Sequence, residues 1–467
     1  MNFPKYPAYK DSGVEWLGEV PAHWVTTSLK YLAELNPKKS EYQADQLQMC
    51  SFIPMEKLKH GMIELDEERV IADVIGGYTY FEDGDVLQAK VTPCFENKNI
   101  AIAHDLTNGI GFGSSEINVL RPFRVDGNFL YYRLQESAYM SMCIASMIGA
   151  GGLKRVPGEV INGFILALPT QNEQTQIARF LDHETARIDA LIEEQQRLIE
   201  LLKEKRQAVI SHAVTKGLDP NVPMKDSGVE WLGEVPAPWE VIDLKYVIKN
   251  IGQGWSPQCD NFPAEEGEWG VLKVGCVNGG LFNADENKRL PDELEPAPEL
   301  TINQDEVLVS RANTRELVGS AAVVDKDYPL LMLCDKLYRL RLISDKVIPQ
   351  FLSFYLGGNV ARSQIELSAS GASDSMQNIS QSAILDLPIS LPPYHEQDWI
   401  VGALKAKLER SDQLSVEVSE QLSLLQERRS ALISAAVTGK IDVRGWQPPK
   451  PDSVSSEKTQ QTCLEAM

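Results

Sequence analysis

One phrase of thirteen residues occurs twice in this chain, and it limits the possible folds more than any other feature. Residues 10–22 match residues 225–237 at every position, and Trp24 and Trp239 follow the two copies. The copies begin 215 residues apart (Lys10 and Lys225), whereas solenoid and propeller repeats have periods of roughly 20 to 50 residues. The sequence therefore predicts a tandem duplication of two complete structural units.

A second matched block closes each repeat. Glu173-Gln174 recurs as Glu396-Gln397, and residues 206–215 resemble residues 429–438 at an offset of 223. The intervening segments, at about 25–165 and 240–388, differ in length and share little sequence. We predict that each repeat is a constant frame holding a variable insert. If the protein distinguishes between ligands, we expect the inserts to make that distinction.

Both inserts mix strand and helix patterns. Residues 85–90 follow a turn signal and are typical of a strand, and residues 128–134 begin an amphipathic helix. In the second insert residues 305–311 and 348–356 repeat this order. The two inserts are therefore predicted to share one α/β fold.

A long polar helix with an apolar seam is predicted after each insert. No glycine or proline interrupts residues 173–216, and residues 396–438 repeat the pattern with one glycine, Gly402. About 40 residues make a rod on the order of 60 Å long. A single helix cannot bury its own apolar seam, so the helix of the other repeat is the expected partner. If the two copies pack about a two-fold axis, the helices run antiparallel and fix the distance between the two inserts. Two DNA half-sites one helical turn apart, about 34 Å, are within the reach of such a rod. The seam residues, at spacings of three and four, are Leu181, Ile188, Leu191, Leu198, Leu202, Val209, Leu404, Leu408, Leu414, Val418, Leu425 and Leu432.

Composition gives an ordinary globular chain with an acidic surplus. Of 467 residues 43% are hydrophobic, and the seven cysteines are scattered without a Cys-x-x-Cys pair. With no signal peptide or long apolar run, a reduced, cytoplasmic protein without membrane contact is the simple interpretation. The net charge of −21 argues against nucleic-acid binding unless cations gather on one face or a partner supplies them, so the isolated chain is expected to bind DNA weakly.

Enzymatic motifs are not found in the sequence. Residues 438–441 lack the leading glycine and the hydroxyl of a phosphate-binding loop. Residues 391–394 resemble the Asp/Asn-Pro-Pro-Tyr motif of amino-methyltransferases, but Leu391 cannot accept a hydrogen bond, and a bend before the long helix is the better interpretation. Residues 149–152 indicate a tight turn rather than a cofactor loop. We predict no catalytic, cofactor-binding or metal-binding residues in this chain.

The conserved phrase and the insert ends together resemble a known family. Residues 12–24, 149–157, Leu168-Pro169 and Glu173-Gln174, followed in the second copy by residues 375–380, Leu391-Pro392-Pro393 and Glu396-Gln397, are similar to the DNA specificity subunit of type I restriction-modification enzymes. The resemblance covers about residues 10–442. One departure is the turn Gly84-Asp85, which appears as Asp305-Glu306 in the second insert.

The resemblance implies an α/β fold in which two similar α/β target recognition domains are separated by two long antiparallel coiled-coil helices, related by a pseudo-two-fold internal repeat. The implied segments are a repeat lead (1–24), the first target recognition domain (25–170), a central helix (171–217), a second lead (218–239), the second target recognition domain (240–393) and a C-terminal helix (394–442). The prolines and polar residues of 443–467 predict a disordered tail.

The resemblance also implies a noncatalytic subunit that recognises a bipartite target in double-stranded DNA. It would dock two methylation subunits, and restriction subunits would join them. S-adenosylmethionine, ATP and magnesium would be used by those other subunits. The alternative is a coiled-coil scaffold that joins two protein-binding α/β domains without touching DNA.

Candidate DNA contacts follow from the internal alignment. Lys154 and Arg155 follow a glycine-rich turn, and Gln377 and Asn378 occupy the equivalent place. Guanidinium and amide groups are suited to reading base edges. A second set is Lys90 with Arg311 and Arg315 at the ends of the predicted strands. The alternative for each residue is a solvated or structural role. The target sequence, its spacer and the modified base cannot be inferred from the amino-acid sequence.

Overall fold

The computed structural model describes residues 3–39, 45–150, 152–373 and 376–449, with the side chain of Ala372 left out. These residues form two compact units. The first contains the described residues up to 195 and those from 420, and the second spans residues 196–419. This division differs from the serial one predicted from the sequence, because it cuts both long helices near their middle.

The first unit carries fourteen strands and four short helices in its described part, and a long helix, α5, begins in it. The strands are β1 (Tyr9–Asp11), β2 (Glu19–Pro21), β3 (Val25–Ser28), β4 (Ala33–Leu35), β5 (Met49–Ile53), β6 (Glu68–Val70), β7 (Thr79–Glu82), β8 (Val86–Ala89), β9 (Ile100–Ile102), β10 (Ile110–Gly113), β11 (Ile117–Pro122), β12 (Ile148–Ala150), β13 (Leu153–Arg155) and β14 (Ile165–Leu168). The helices are α1 (Ile71–Val74), α2 (Gly127–Arg133), α3 (Ser137–Ala145), α4 (Gly158–Gly163) and α5 (Gln171–Lys216).

The second unit repeats this plan in its described residues and ends in the other long helix, α9. Its strands are β15 (Met224–Asp226), β16 (Glu234–Pro236), β17 (Glu240–Asp243), β18 (Ile248–Gln253), β19 (Gly270–Leu272), β20 (Asn287–Arg289), β21 (Thr301–Ile302), β22 (Val307–Ser310), β23 (Ala312–Asn313), β24 (Ala321–Val323), β25 (Tyr328–Met332), β26 (Leu337–Leu342), β27 (Ser370–Ser373), β28 (Met376–Asn378) and β29 (Pro388–Leu391). Its helices are α6 (Pro349–Gly357), α7 (Asn359–Ser368), α8 (Gln381–Leu385) and α9 (Tyr394–Val437).

Each unit is built on two four-stranded sheets of matching order. In the first unit these are β6-β5-β10-β7 and β4-β11-β8-β9, and in the second they are β20-β19-β25-β21 and β18-β26-β22-β24. The first sheet of each unit contains one parallel pair, β5 with β10 and β19 with β25. The strands and helices predicted at 85–90, 128–134, 305–311 and 348–356 are confirmed as β8, α2, β22 and α6.

The start of each long helix is tied into its own unit by a buried glutamine. Gln174 accepts a hydrogen bond from the backbone N–H of Asp126 (2.7 Å) and donates to the Pro169 carbonyl (2.9 Å). Gln397 accepts from the N–H of Ile348 (2.8 Å) and donates to the carbonyls of Lys346 and Pro392. Asp126 and Ile348 are the residues before α2 and α6, so each glutamine satisfies a backbone donor at the start of a short helix.

The tryptophan after each copy of the repeated phrase is fully buried in the core of its unit. Trp24 lies in a cluster with Phe129, Phe180 and Val437. Trp239 lies in the equivalent cluster of the second unit, where its Nε1 donates to a carboxylate oxygen of Glu396 (3.0 Å). Each copy of the repeated phrase is therefore followed by the same structural anchor.

The predicted long helices are confirmed as α5, with 46 residues, and α9, with 44 residues. Their pairing is antiparallel in each unit. In the first unit Gln176 donates to the carbonyl of Val443, and Arg429 pairs with Asp189 at 2.6 Å. Thus a step forward along α5 corresponds to a step backward along α9.

The second unit has the same arrangement. Arg206 of α5 pairs with Asp412 of α9, and Glu396, near the start of α9, lies beside Gly217 at the end of α5. Arg206 and Asp412 are the repeat equivalents of Arg429 and Asp189, at the offset of 223 residues. The duplication has therefore kept one ion pair in each unit, with the roles of the two helices exchanged.

Residues 443–446 correct the predicted start of the tail at 443. Val443 is buried in the core of the first unit. The Trp446 ring packs edge-on against Phe180 at 5.4 Å, and the Trp446 carbonyl accepts from Gln176. Apolar contact and a hydrogen bond therefore hold this segment. Residues 450–467 of the predicted tail lie outside the described residues, as does Ser375 of the second-copy motif.

Candidate nucleic-acid interface

An exposed hairpin in the first unit brings three predicted DNA contacts together. Strands β12 and β13 pair with Ile148 opposite Arg155, and their side chains are exposed. The hairpin lies against the segment after β8, where Val91 pairs with Arg155 and the Lys90 carbonyl accepts from the N–H of Val156 (2.9 Å). Lys90, Lys154 and Arg155 therefore lie on neighbouring chain segments.

A carboxylate that the sequence analysis missed lies within this group. The backbone carbonyl of Glu116 accepts from the N–H of Lys90 (2.9 Å). Its carboxylate accepts two bonds of 2.8 Å from the Arg155 guanidinium, one from Nε and one from Nη2. Pairing with Arg155, and secondarily the charge of Lys90, lowers the pKa of Glu116, while the same pair raises the pKa of Arg155. Both groups are therefore charged at neutral pH.

The second unit has the same backbone arrangement with different side chains. Strand β28 pairs with β23, so that Asn378 lies opposite Ala312. The Arg311 carbonyl accepts from the N–H of Ile379 (3.0 Å), as the Lys90 carbonyl does in the first unit. The Arg311 N–H donates to the carbonyl of Lys336 (2.8 Å), which places Lys336 where the first unit has Glu116.

The predicted contacts of the second unit meet only in part. Gln377 and Asn378 lie on β28, beside Arg311. Gln377 donates its amide to the Ser373 carbonyl (2.8 Å), and Arg311 donates to the Asp335 carbonyl (3.2 Å). Arg315 is not on these strands and lies in the exposed turn after β23.

A sequence signal for Glu116 and Lys336 existed. Each residue directly precedes a long, buried strand, β11 or β26, and those strands pair with β8 and β22. A charged residue at the same end of the same strand in both inserts indicates an equivalent, exposed site. The pairing with Arg155 could not be read from the sequence, because it joins residues 39 positions apart.

The helix seam is buried along only part of its length, which corrects the predicted packing for three leucines. Leu181, Ile188, Leu202, Leu404, Leu408 and Val418 are buried, whereas Val209, Leu425 and Leu432 are half-buried. Leu191, Leu198 and Leu414 are exposed. Two paired helices cover one side of each other, so an apolar residue that no third element covers keeps access to solvent.

The exposed leucines recur with the duplication. In the first unit Leu191 of α5 is 44% exposed and Leu424 of α9 is 63% exposed. In the second unit Leu414 of α9 is 41% exposed and Leu201 of α5 is 50% exposed. Leu191 corresponds to Leu414, and Leu201 to Leu424, at the offset of 223 residues. Each unit thus exposes an equivalent leucine on each helix, and the second unit also exposes Leu198, whose equivalent at position 421 is a glutamine.

Among the described residues, no group of three or more His, Cys, Asp and Glu side chains is arranged to hold a metal ion. The described helices also include none with the length and apolar character needed to cross a bilayer.

Comparison with known proteins identifies the family. Residues 236–423 match the model of the type I restriction modification DNA specificity domain. The specificity subunit of the type I restriction enzyme EcoEI from Escherichia coli is 28% identical, and the alignment covers 90% of this chain and 83% of that protein. The chain belongs to the type I DNA specificity subunits. It is therefore the DNA specificity component of a type I restriction-modification system, and specificity subunits are noncatalytic.

Further relatives agree with this assignment. The EcoKI specificity subunit from Escherichia coli strain K12 is 23% identical, with 74% of this chain and 72% of that protein covered. One solved structure, from work on complex assembly and conformational transition of the type I R-M system, superposes on this specificity subunit with a TM-score of 0.67. At 17% identity, covering 90% of this chain and 98% of that one, the likeness concerns the fold. It supports the mixed α/β architecture with two long packed helices.

Proposed function

We propose that each unit reads one half of a split, asymmetric DNA target. One observation carries this proposal. In each unit a strand, β13 or β28, lies beside the segment that follows β8 or β22, and we call this pair of segments the platform. The two platforms have the same backbone arrangement and carry different polar side chains. Lys90, Lys154 and Arg155 occupy the platform in the first unit, and Arg311 and Asn378 occupy it in the second. Equal platforms with unequal side chains suit two related but different half-sites.

The gap between the half-sites is set, in this proposal, by the two long helices. Helices α5 and α9 each contribute to both units. The ion pairs Asp189–Arg429 and Arg206–Asp412 keep the same pairing of the helices in each unit. A helix has a fixed rise of about 1.5 Å per residue, so a continuous helix is suited to act as a spacer of constant length.

Two methylation subunits are the proposed partners of the exposed leucines. Leu191 and Leu424 in the first unit have equivalents in Leu414 and Leu201 of the second. Exposed apolar residues that recur in this way suit the binding of one partner type twice. Restriction subunits join this assembly, and S-adenosylmethionine, ATP and magnesium are used by the partner subunits.

A gel-shift experiment separates this function from the scaffold alternative, which the net charge of −21 favours. Binding to target and scrambled duplexes is measured for the methylation subunits alone and for their complex with this chain. We expect the chain to add sequence preference, and to bind weakly when alone because of its acidic charge. If the complex showed no more preference than the methylation subunits alone, the scaffold would be correct.

A further inference from the structure

The ion pair between Arg155 and Glu116 leaves hydrogen-bond donors of the guanidinium unused. The guanidinium has five N–H donors, and the two bonds to Glu116 use Nε and one proton of Nη2. Among the described residues the guanidinium has no other hydrogen bond or ion pair, so the edge formed by Nη1 and the second Nη2 proton is available for a further bidentate contact. The side chains of Arg155 and Glu116 are 48% and 27% exposed, so both are accessible.

A carboxylate at this position distinguishes two ways of contacting DNA. A phosphate contact is favoured by cations and disfavoured by a negative charge beside them. Base edges are different, because carboxylates accept from the N4 amino group of cytosine and arginine donates to O6 and N7 of guanine. These groups are neighbours in the major groove of one G·C pair, so an arginine beside a glutamate matches that pair better than it matches the backbone.

We infer that Arg155 and Glu116 together read one G·C base pair in the first half-site. Arg155 donates from its free edge to O6 and N7 of guanine, and Glu116 accepts from the N4 amino group of cytosine. The existing ion pair holds the guanidinium in place before DNA arrives, which reduces the ordering needed on binding. The inference rests on the proposed function, since it requires the hairpin of the first unit to face DNA.

The second unit lacks this arrangement at the equivalent positions. Lys336 stands in the place of Glu116, and Asn378 stands in the place of Arg155. The joint arginine and glutamate contact is therefore assigned to one half-site only, the half that depends on residues 25–165.

The test uses the complex with methylation subunits and duplexes in which each base pair of the first half-site is replaced in turn. We expect one G·C pair whose replacement by A·T weakens binding by about tenfold to a hundredfold. Replacing its guanine by 7-deazaguanine, which lacks N7, is expected to weaken binding to the wild-type complex as well. This arm requires no altered protein.

Variants then connect that base pair to the two residues. In Arg155→Gln and in Glu116→Leu the penalty for replacing the G·C pair should shrink at that position and at no other, and Arg155→Gln should abolish the 7-deazaguanine effect. The matched control is Arg69→Gln, since Arg69 forms a similarly exposed pair with Glu67 in the same unit (side chains 40% and 31% exposed). The control should leave the penalties at every base pair unchanged.

Three results would overturn the inference. The first is that Arg155→Gln changes the replacement penalty of no G·C pair in the first half-site. The second is a uniform loss of affinity across all duplexes in both variants, which indicates a phosphate contact. The third is a change confined to the other half-site. Each of these leaves bipartite recognition intact, whereas a wild-type complex without sequence preference overturns the proposed function as well.

Discussion

The platforms of the two units share their main-chain hydrogen bonds and differ in their side chains. The carbonyls of Lys90 and Arg311 accept equivalent bonds from the N–H groups that directly follow Arg155 and Asn378. The first platform joins an arginine to a carboxylate, whereas the second presents amides beside Arg311. A duplicated backbone can therefore be retained while the side chains of each copy change independently.

The frame shows the opposite behaviour. Trp24 and Trp239 are both buried, and the glutamines at 174 and 397 close the same junction in each unit. The frame has therefore kept the same side chains at these positions in both units, whereas the inserts between them have diverged.

The largest effect is expected from breaking the connection between the two platforms. Inserting four residues after Gln195 lengthens α5 by about 6 Å and rotates its continuation by about 40°. We expect the preferred gap between half-sites to change, or specific binding to be lost. Binding to duplexes whose spacer varies by single base pairs measures this, with an insertion in the exposed turn at 219–221 as the control. An unchanged gap after the helix insertion would count against the helices as spacers.

Removing the anchor of either frame should destabilise its unit strongly. Trp24→Ala and Trp239→Ala each leave a cavity in a core, which costs about 3–5 kcal/mol of the free energy of unfolding. Urea unfolding followed by hydrogen exchange identifies the unit that opens. The indole N–H of Trp239 donates to Glu396, so Trp239→Phe should cost about 1 kcal/mol for that bond. A loss below 1 kcal/mol for either alanine variant would show that the anchors are not equivalent.

The glutamine junctions should give a smaller effect that differs between units. Gln174→Leu and Gln397→Leu each leave a buried backbone N–H without its acceptor, at a cost of about 1–3 kcal/mol. The Gln397 side chain makes three hydrogen bonds and the Gln174 side chain makes two, so we expect the larger loss for Gln397→Leu. Denaturant midpoints of the two variants measure the difference, and the reverse order would contradict this accounting.

The inter-helix ion pairs should contribute least. Asp189 and Asp412 are about half exposed, so Arg429→Ala and Arg206→Ala should each cost about 0.2–1 kcal/mol, and less at high salt because exposed charges are screened. Unfolding at low and high salt tests this. A loss that is large and independent of salt would mean that packing of the arginine stems, rather than charge, is responsible.

Much of the frame could be predicted from the sequence because its signals are local or repeated. The absence of glycine and proline in 173–216 predicted α5. Helix α9 continues through Gly402, and the flanking residues Val401 and Leu404 are buried. The internal alignment also placed Lys90 with Arg311, and Arg155 with Asn378, as the hydrogen bonds of the two units do.

The remainder depended on contacts between distant residues. The exposure of Leu191, Leu198 and Leu414 follows from what covers the helices, which a seam pattern does not contain. Trp446 packs against Phe180 although 266 positions separate them in the chain. The partnership of Glu116 with Arg155 is of the same kind, because a charged residue before a strand does not indicate which cation it will meet.

Exchanging residues 25–165 for the insert of another specificity subunit tests whether each insert recognises its own half of the target. Methylation-sensitive long-read sequencing of host genomes carrying the original and the exchanged protein gives both complete targets. We expect one half of the target to change while the other half is retained. A target in which both halves change, or neither does, would contradict it.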